Sequence, residues 1–157
     1  MNTFIALFRG INVGGRNKLP MRELVEVLDS LGLHHIKTYI QSGNVVFESE
    51  ETSFSILSKI IQDAIKNSHG FAPEVILLSP TELGDAVSAN PFPEAENEPK
   101  TLHLYFLDAV PEKPDLKRLE DIKRDNEKFA LKGKVFYLYA PDGIGRSIHR
   151  CGARYVR

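Results

Sequence analysis

His35-Ile36-Lys37-Thr38-Tyr39-Ile40-Gln41-Ser42-Gly43-Asn44-Val45-Val46-Phe47-Glu48 reads as two β-forming runs, His35 to Gln41 and Asn44 to Glu48, joined at Ser42 and Gly43. A Ser-Gly pair between such runs is a strong hairpin signal. Upstream, Leu24, Val27, Leu28 and Leu31 recur at helical spacing, Pro20 suits the first turn, and Gly32 stops the helix. Thr3 to Phe8 alternates and is rich in β-formers, so it opens the chain as a strand. Downstream, Phe54, Leu57, Ile60, Ile61, Ala64 and Ile65 define a second amphipathic helix, and Glu74 to Leu78 a fourth strand. The order β-α-β-β-α-β is the split βαβ, or ferredoxin-like, motif: a four-stranded antiparallel sheet with both helices on one face.

Beyond residue 79 the same order starts over. A short helix near Thr81 to Ser88 and the irregular Asn90-Pro91-Phe92-Pro93 stretch lead into a strand, Thr101 to Leu107. Leu116, Leu119 and Ile122 mark a helix, and Lys128 to Leu131 with Val135 to Tyr139 form a hairpin around Lys132-Gly133-Lys134. Hairpin glycines Gly43 and Gly133 stand 90 positions apart, which suits an internal duplication of βαββ units. The expected fold class is α+β, with tandem ferredoxin-like half-domains and antiparallel sheets. The first unit occupies residues 1–79, a truncated second βαββ unit residues 80–147, and an atypical basic tail residues 148–157.

At 157 residues the chain fits one domain, or two small halves sharing a core. Hydrophobic residues at 42% and charged residues at 26% are close to globular averages, which speaks against disorder and against a fibrous class. A single cysteine, Cys151, excludes an intrachain disulfide framework and a thiolate metal cluster, and favours a reducing compartment. Met1 to Phe8 lacks the basic flank of a signal peptide, and no run of about 18 apolar residues occurs. A cytoplasmic location without membrane contact is therefore expected. Charge is unevenly spread: Arg9, Arg16, Lys18 and Arg22 precede the first acid, Glu23, while Arg146, Arg150, Arg154 and Arg157 fill an acid-free end. The acidic balance of the remainder argues against broad coating of nucleic acid.

The loop from Arg9 to Lys18 is the strongest candidate for chemistry. Gly10, Gly14 and Gly15 permit positive φ and close backbone approach, Arg9, Arg16 and Lys18 supply charge, and Asn12 and Asn17 supply amides. Two readings stay open: the glycines shape a long crossover from strand to helix, or the loop holds an anion ahead of a helix. The spacing approaches that of a P-loop, but Arg16 stands where Lys is required and Asn17 where a Mg²⁺-binding hydroxyl belongs, and the Rossmann spacing is absent. Ser42 and Asn44 offer a hydroxyl and an amide, although a tight hairpin needs such residues anyway. Ser42 has no general base nearby in sequence, so no catalytic residue is assigned. His34, His35, His69, His103 and His149 show no metal-ligand spacing, and neither metal nor cofactor is expected. Asp142-Gly143-Ile144-Gly145-Arg146-Ser147 reads as a turn or as a second anion loop. Phe4 and Phe8 share one strand face, where they either fill the core under Leu24 and Leu28 or stack on RNA bases, the former being the expectation.

Phe8-Arg9-Gly10-Ile11-Asn12-Val13-Gly14-Gly15, Leu19-Pro20-Met21 and Thr38-Tyr39-Ile40-Gln41-Ser42-Gly43-Asn44-Val45-Val46-Phe47 closely resemble the bacterial domain of unknown function 1697 (DUF1697) family. Asn90-Pro91-Phe92 and Ala140-Pro141-Asp142-Gly143-Ile144-Gly145-Arg146-Ser147 match it as well. The resemblance spans residues 3–147 and implies tandem ferredoxin-like repeats. It implies no catalytic residue, because the family has no established reaction or ligand. After Ser147 the sequence departs from the longer, helix-containing tail that the resemblance leads one to expect.

From the residues themselves, the leading expectation is a binding module for a small anionic or phosphorylated ligand. Its site would comprise Arg9, Gly10, Asn12, Gly14, Gly15, Asn17 and Lys18, with Ser42 and Asn44 as neighbours. The alternatives are an enzyme on such a ligand, with Arg9 and Asn12 polarising an oxygen, and an interaction module whose second sheet pairs with another chain, including a homodimer over Leu102 to Phe106.

Overall fold

The computed structural model describes residues 1–40 and 43–147; Gln41, Ser42 and the basic segment 148–157, with Cys151, lie outside the described residues. The chain divides into two compact units, Met1–Asp85 and Ala86–Arg157. The molecule is α+β, with two antiparallel sheets.

The first unit runs β1 (Asn2–Arg9), α1 (Met21–Ser30), β2 (His34–Tyr39), β3 (Asn44–Ser49), α2 (Phe54–His69) and β4 (Glu74–Leu78). Its sheet has the order β2-β3-β1-β4, and every neighbouring pair is antiparallel. Alternation along β1 sends Phe4, Ala6 and Phe8 to one face, where they join Val45 and Phe47 under Leu24, Leu28, Leu57, Ile61 and Ile65. Phe4 stacks on Phe47 with ring centroids 5.7 Å apart and meets Phe54 edge-on at 5.3 Å, so it belongs to the core. Full burial of each Leu or Ile stabilises the unit by about 1.5–3 kcal/mol. Helix α1 stops where expected. Gly32 takes φ 74° and donates to Asp29 O at 2.9 Å, and Leu33 N–H reaches Leu28 O at 3.4 Å, which satisfies the last carbonyls.

Strand β2 is shorter than its sequence suggests. Its register with β3 shifts between His34 and Lys37, where His35 has φ 51°, and the ladder ends at Tyr39 opposite Asn44. Ile40, at φ 54°, turns the backbone out of the ladder directly after Tyr39. Positive φ on a β-branched side chain is strained and rarely adopted.

In the second unit, α3 (Pro80–Ser88) contributes its last turn and is followed by β5 (Leu102–Phe106), α4 (Leu116–Ile122), β6 (Lys128–Lys132) and β7 (Val135–Tyr139). The sheet order is β5-β7-β6. The pairing rule of the first unit recurs: β3 lies between β1 and β2, and β7 between β5 and β6. Leu119 of α4 packs with Phe136 and Leu138 on one face. Phe92 and Ala95 cover Tyr137 on the other. The Tyr137 hydroxyl donates to Ala86 O at 2.6 Å. The Asn90-Pro91-Phe92 segment is a turn closed by the Asn90 amide, which accepts from Phe92 N–H at 3.0 Å and donates to Phe92 O at 3.1 Å.

His103 stands on β5 opposite Leu138, and its Nε2 is buried with no hydrogen-bond partner among the described residues. Burial lowers its pKa below the ordinary value of 6.5, because the charged imidazolium loses solvent. The unfolded chain therefore binds this proton more readily than the folded one. The stability that His103 contributes is fully present above pH 6.5 and is lost as the pH drops through that value towards the lowered folded pKa. Unfolding midpoints measured across this window are expected to decline towards acid, and a His103→Phe variant to flatten the part of the decline that this residue causes.

Candidate functional site

Arg9 closes β1, and its partner across the sheet is Glu74 of β4. The guanidinium donates to that carboxylate, Nη1 to Oε2 at 2.9 Å, with both side chains part-exposed. Gly10 at φ 80° then takes the chain off the strand, and Ile11, 3% exposed, anchors the departing loop in the core. Asn12 N–H donates to Asn17 O at 3.0 Å. The Asn12 carboxamide copies a strand residue: Nδ2 donates to Leu19 O at 2.9 Å and Oδ1 accepts from Leu19 N–H at 2.8 Å. Asn17 Nδ2 donates back to Gly10 O at 2.9 Å. Both asparagines have positive φ, 53° and 50°, a region their short amide side chains tolerate.

The tip is a miniature hairpin. Val13 and Arg16 form an isolated antiparallel bridge, with Arg16 N–H on Val13 O at 3.1 Å, and Gly14 and Gly15 between them have φ 59° and 75°. Positive φ at both central positions is the geometry of a type I′ turn, which matches the twist of its strands. The expected glycine-rich loop is thus a finger, pinned at its base by buried Ile11 and Leu19 and closed at its tip by a glycine turn. Its glycines do not sit at a helix N-terminus. Helix α1 starts only at Met21, behind a Pro20 cap without a side-chain bond. Arg16 and Lys18 are exposed and form no ion pair among the described residues.

The hairpin motif meets the finger at Gly43. Phe8 N–H donates to Gly43 O at 3.1 Å, and a Cβ added at Gly43 would lie 2.4 Å from Ile11 Cδ1 and 3.0 Å from Phe8 Cβ. Asn44, half-buried, begins β3 opposite Leu7 and Tyr39. Ser42, also expected at the site, lies outside the described residues. The structure therefore gives Arg9, Gly10, Asn12, Gly14, Gly15 and Asn17 clear structural work. The groups an enzyme would use to polarise an oxygen, the Arg9 guanidinium and the Asn12 carboxamide, are occupied by Glu74 and Leu19.

A feature outside the expected set lies between α1 and α2. An open cleft of about 660 Å³ is lined by Pro20, Glu23, Glu26, Val27, Ser68 and His69, among others. Ser68 Oγ and His69 Nδ1 are 2.7 Å apart, and His69 Nε2 and Glu23 Oε2 2.8 Å apart. Distances alone would suit a nucleophile, base and orienting acid. The surroundings oppose it. Ser68 Oγ also donates to Ala64 O at 2.9 Å, Gly70 N–H is bonded to Lys66 O, and the end of α2 presents carbonyls, which repel a developing oxyanion. The chain is read instead as a clasp joining α1 to α2. No periodicity or motif marked it, since Glu23 and His69 are 46 positions apart. Among the described residues no group of three or more His, Cys, Asp or Glu could hold a metal ion, and no helix is long and apolar enough to cross a membrane.

Fold and site define an α+β protein whose first sheet carries a stapled glycine finger seated against a strained hairpin. The chain belongs to the family described as protein of unknown function DUF1697, whose model matches residues 1–137. Among solved structures it is similar to the conserved bacterial protein SP0830 from Streptococcus pneumoniae, with 26% identity and a TM-score of 0.66 over 90% of this chain and 78% of that one. None of the curated proteins matches the sequence.

Two substitutions test how the finger is held. Gly43→Ala combines left-handed strain with a clash at buried Ile11, and is expected to cost about 2–4 kcal/mol in urea unfolding. Asn12→Ala removes both bonds to Leu19 and is expected to cost about 1–2 kcal/mol. Asn12→Gly, which relieves the positive φ but restores no bond, should recover only a small part of that loss.

Proposed function

We propose that the protein is a binding module that holds a small anionic or phosphorylated ligand on the finger, with Arg16 and Lys18 as its cationic contacts. One observation carries this reading: the bonds that shape the finger are made by backbone and asparagine amides, while Arg16 and Lys18 stay exposed and unpaired among the described residues. The loop is held without their charge. Cations on a rigid support lose little entropy on meeting an anion, and the fork of Arg16 suits phosphate or carboxylate oxygens. Strain at Ile40 in the adjoining hairpin points the same way, since residues in sparsely populated backbone regions gather at functional sites.

In this reading Arg9 sets the finger's root through Glu74, Gly10, Asn12, Gly14, Gly15 and Asn17 set its shape, Lys18 supplies charge, and Asn44 borders it. We read both units as ferredoxin-like halves, the second incomplete. Support comes from the β-α-β-β-α-β order of the first unit and from the repeated flanking of β3 and β7. A cytoplasmic location fits the lone cysteine.

A hydrogen bond between charged groups contributes about 1.5–3 kcal/mol, so loss of either cation should weaken binding roughly tenfold to a hundredfold. NMR titration at low ionic strength with inorganic phosphate, nucleotides and sugar phosphates should shift the amides of Gly14, Gly15 and Arg16. Arg16→Ala with Lys18→Ala should abolish those shifts and leave the melting temperature unchanged, because neither side chain is engaged in the fold. Equal binding by the double variant, or no response to any phosphate compound, refutes the proposal.

A further inference from the structure

Edge strands expose unpaired N–H and C=O groups, and proteins blunt them with bulges, charges or covering side chains. Among the described residues, three of the four sheet edges are blunted. β2 has the register shift beside Lys37 and the positive φ of His35. On β4, Val75 turns its carbonyl away from β1, and Ser58 Oγ of α2 donates to that oxygen at 2.9 Å. β6 carries Lys128 and Lys132 at its two ends, the first paired with Glu94 and the second donating to Ala89 O at 2.8 Å.

β5 differs. Its sequence, Leu102-His103-Leu104-Tyr105-Phe106, contains no proline, lysine or acid, and its register with β7 is continuous. Leu107 N–H donates to Lys134 O and Ala140 N–H to Thr101 O, both in that register, so residues 101, 103, 105 and 107 face β7. Leu102, Leu104 and Phe106 therefore turn their backbone polar groups to the open side. Leu102 N–H is taken by Pro99 O, whereas the Leu104 and Phe106 groups have no partner among the described residues.

We propose that β5 pairs antiparallel with β5 of a second copy of this chain, about a two-fold axis through Leu104, to make one continuous six-stranded sheet. The register is self-complementary. Leu104 faces Leu104 of the second copy, and each exchanges N–H and C=O with the other. Phe106 N–H meets Leu102 C=O of the second copy; Leu102 N–H stays with Pro99 O, so the outer pair is joined by this one bond and the Phe106 C=O is left to water. On the α4 side of the sheet the same register sets His103, whose Nε2 lacks a partner among the described residues, opposite Tyr105 of the second copy. A two-fold contact uses one patch twice, so this edge, undefended among the described residues, supplies both halves of the interface.

Sedimentation equilibrium of the full chain tests this, together with amide hydrogen exchange. The expected result is twice the chain mass, with Leu104 and Phe106 amides protected and both properties lost on dilution. Leu104→Pro should give a monomer, because the amide it removes faces away from β7 and no bond within the sheet is broken. Should that variant not fold, the concentration dependence of exchange in the unsubstituted chain decides. A monomer at every concentration overturns the proposal, as does a dimer that survives Leu104→Pro. Protection of Leu104 that ignores concentration also overturns it, and shows the edge filled from within the chain.

Discussion

The hydrogen bond from Phe8 N–H to the Gly43 carbonyl, 3.1 Å long, is where the first unit is tied together. It continues the β1–β3 ladder beyond its last paired residues, Leu7 and Asn44, to the point where β1 gives way to the finger. It requires Gly43, because a side chain there would occupy the space of Ile11 Cδ1. Ile11 in turn plugs the root of the finger, and β1 is the strand that both β3 and β4 need as a neighbour. One missing methyl group thus couples the central strand, the finger and the strained hairpin. Interiors packed at crystal density pass such a displacement on rather than absorb it.

The finger divides its labour between dipoles and charges. Amide-to-carbonyl bonds hold its shape, and these weaken little with salt, whereas ion pairs at an exposed loop would contribute about 0–1 kcal/mol and be screened. Arg9 shows the contrast: it is the cation at the root, and among the described residues it is the one of the loop's cations that is paired, with Glu74. Unpaired charge placed where the fold does not need it serves contact with something else more readily than stability. The cleft between α1 and α2 has the opposite character. Carbonyls at the end of α2 and Glu23 disfavour an anion there, Arg22 being paired with Glu26, and His69 fits as a hydrogen-bonding link between helices.

Much of this architecture could be read from the residues, and the reason is periodicity. Helices α1 and α2 and strands β1 and β4 bury one face each, so their apolar spacing names both the element and its partner surface. Phe4 and Phe8 went to the core for this reason. What escaped was set by contacts between distant segments. The positive φ of Ile40 contradicts its β-branched side chain, and no local rule predicts it. The glycines of the finger were legible as glycines needing positive φ, but not as a hairpin tip, since that depends on Asn12 reaching Leu19 and Asn17 reaching Gly10. Spacing alone likewise cannot tell that Arg9 would spend its charge on a neighbouring strand. The Ser68–His69–Glu23 chain was invisible because its two helices meet only in the folded unit.

The two sheets also show what a repeated pairing rule does and does not provide. In both, the last strand of a β-α-β-β run inserts between the other two, which leaves the opening strand with one side unfilled. In the first unit α2 and β4 fill that side of β1, and Ser58 on α2 then blunts the edge that β4 creates. The equivalent side of β5 receives no strand among the described residues. A strand with apolar neighbours on both faces and bare backbone groups at its rim is costly to leave in water, so either selection blunts it or a partner covers it. The blunting devices spent on β2, β4 and β6 show that this chain uses them freely, and their absence from Leu102–Phe106 is the physical ground for regarding that edge as an interface.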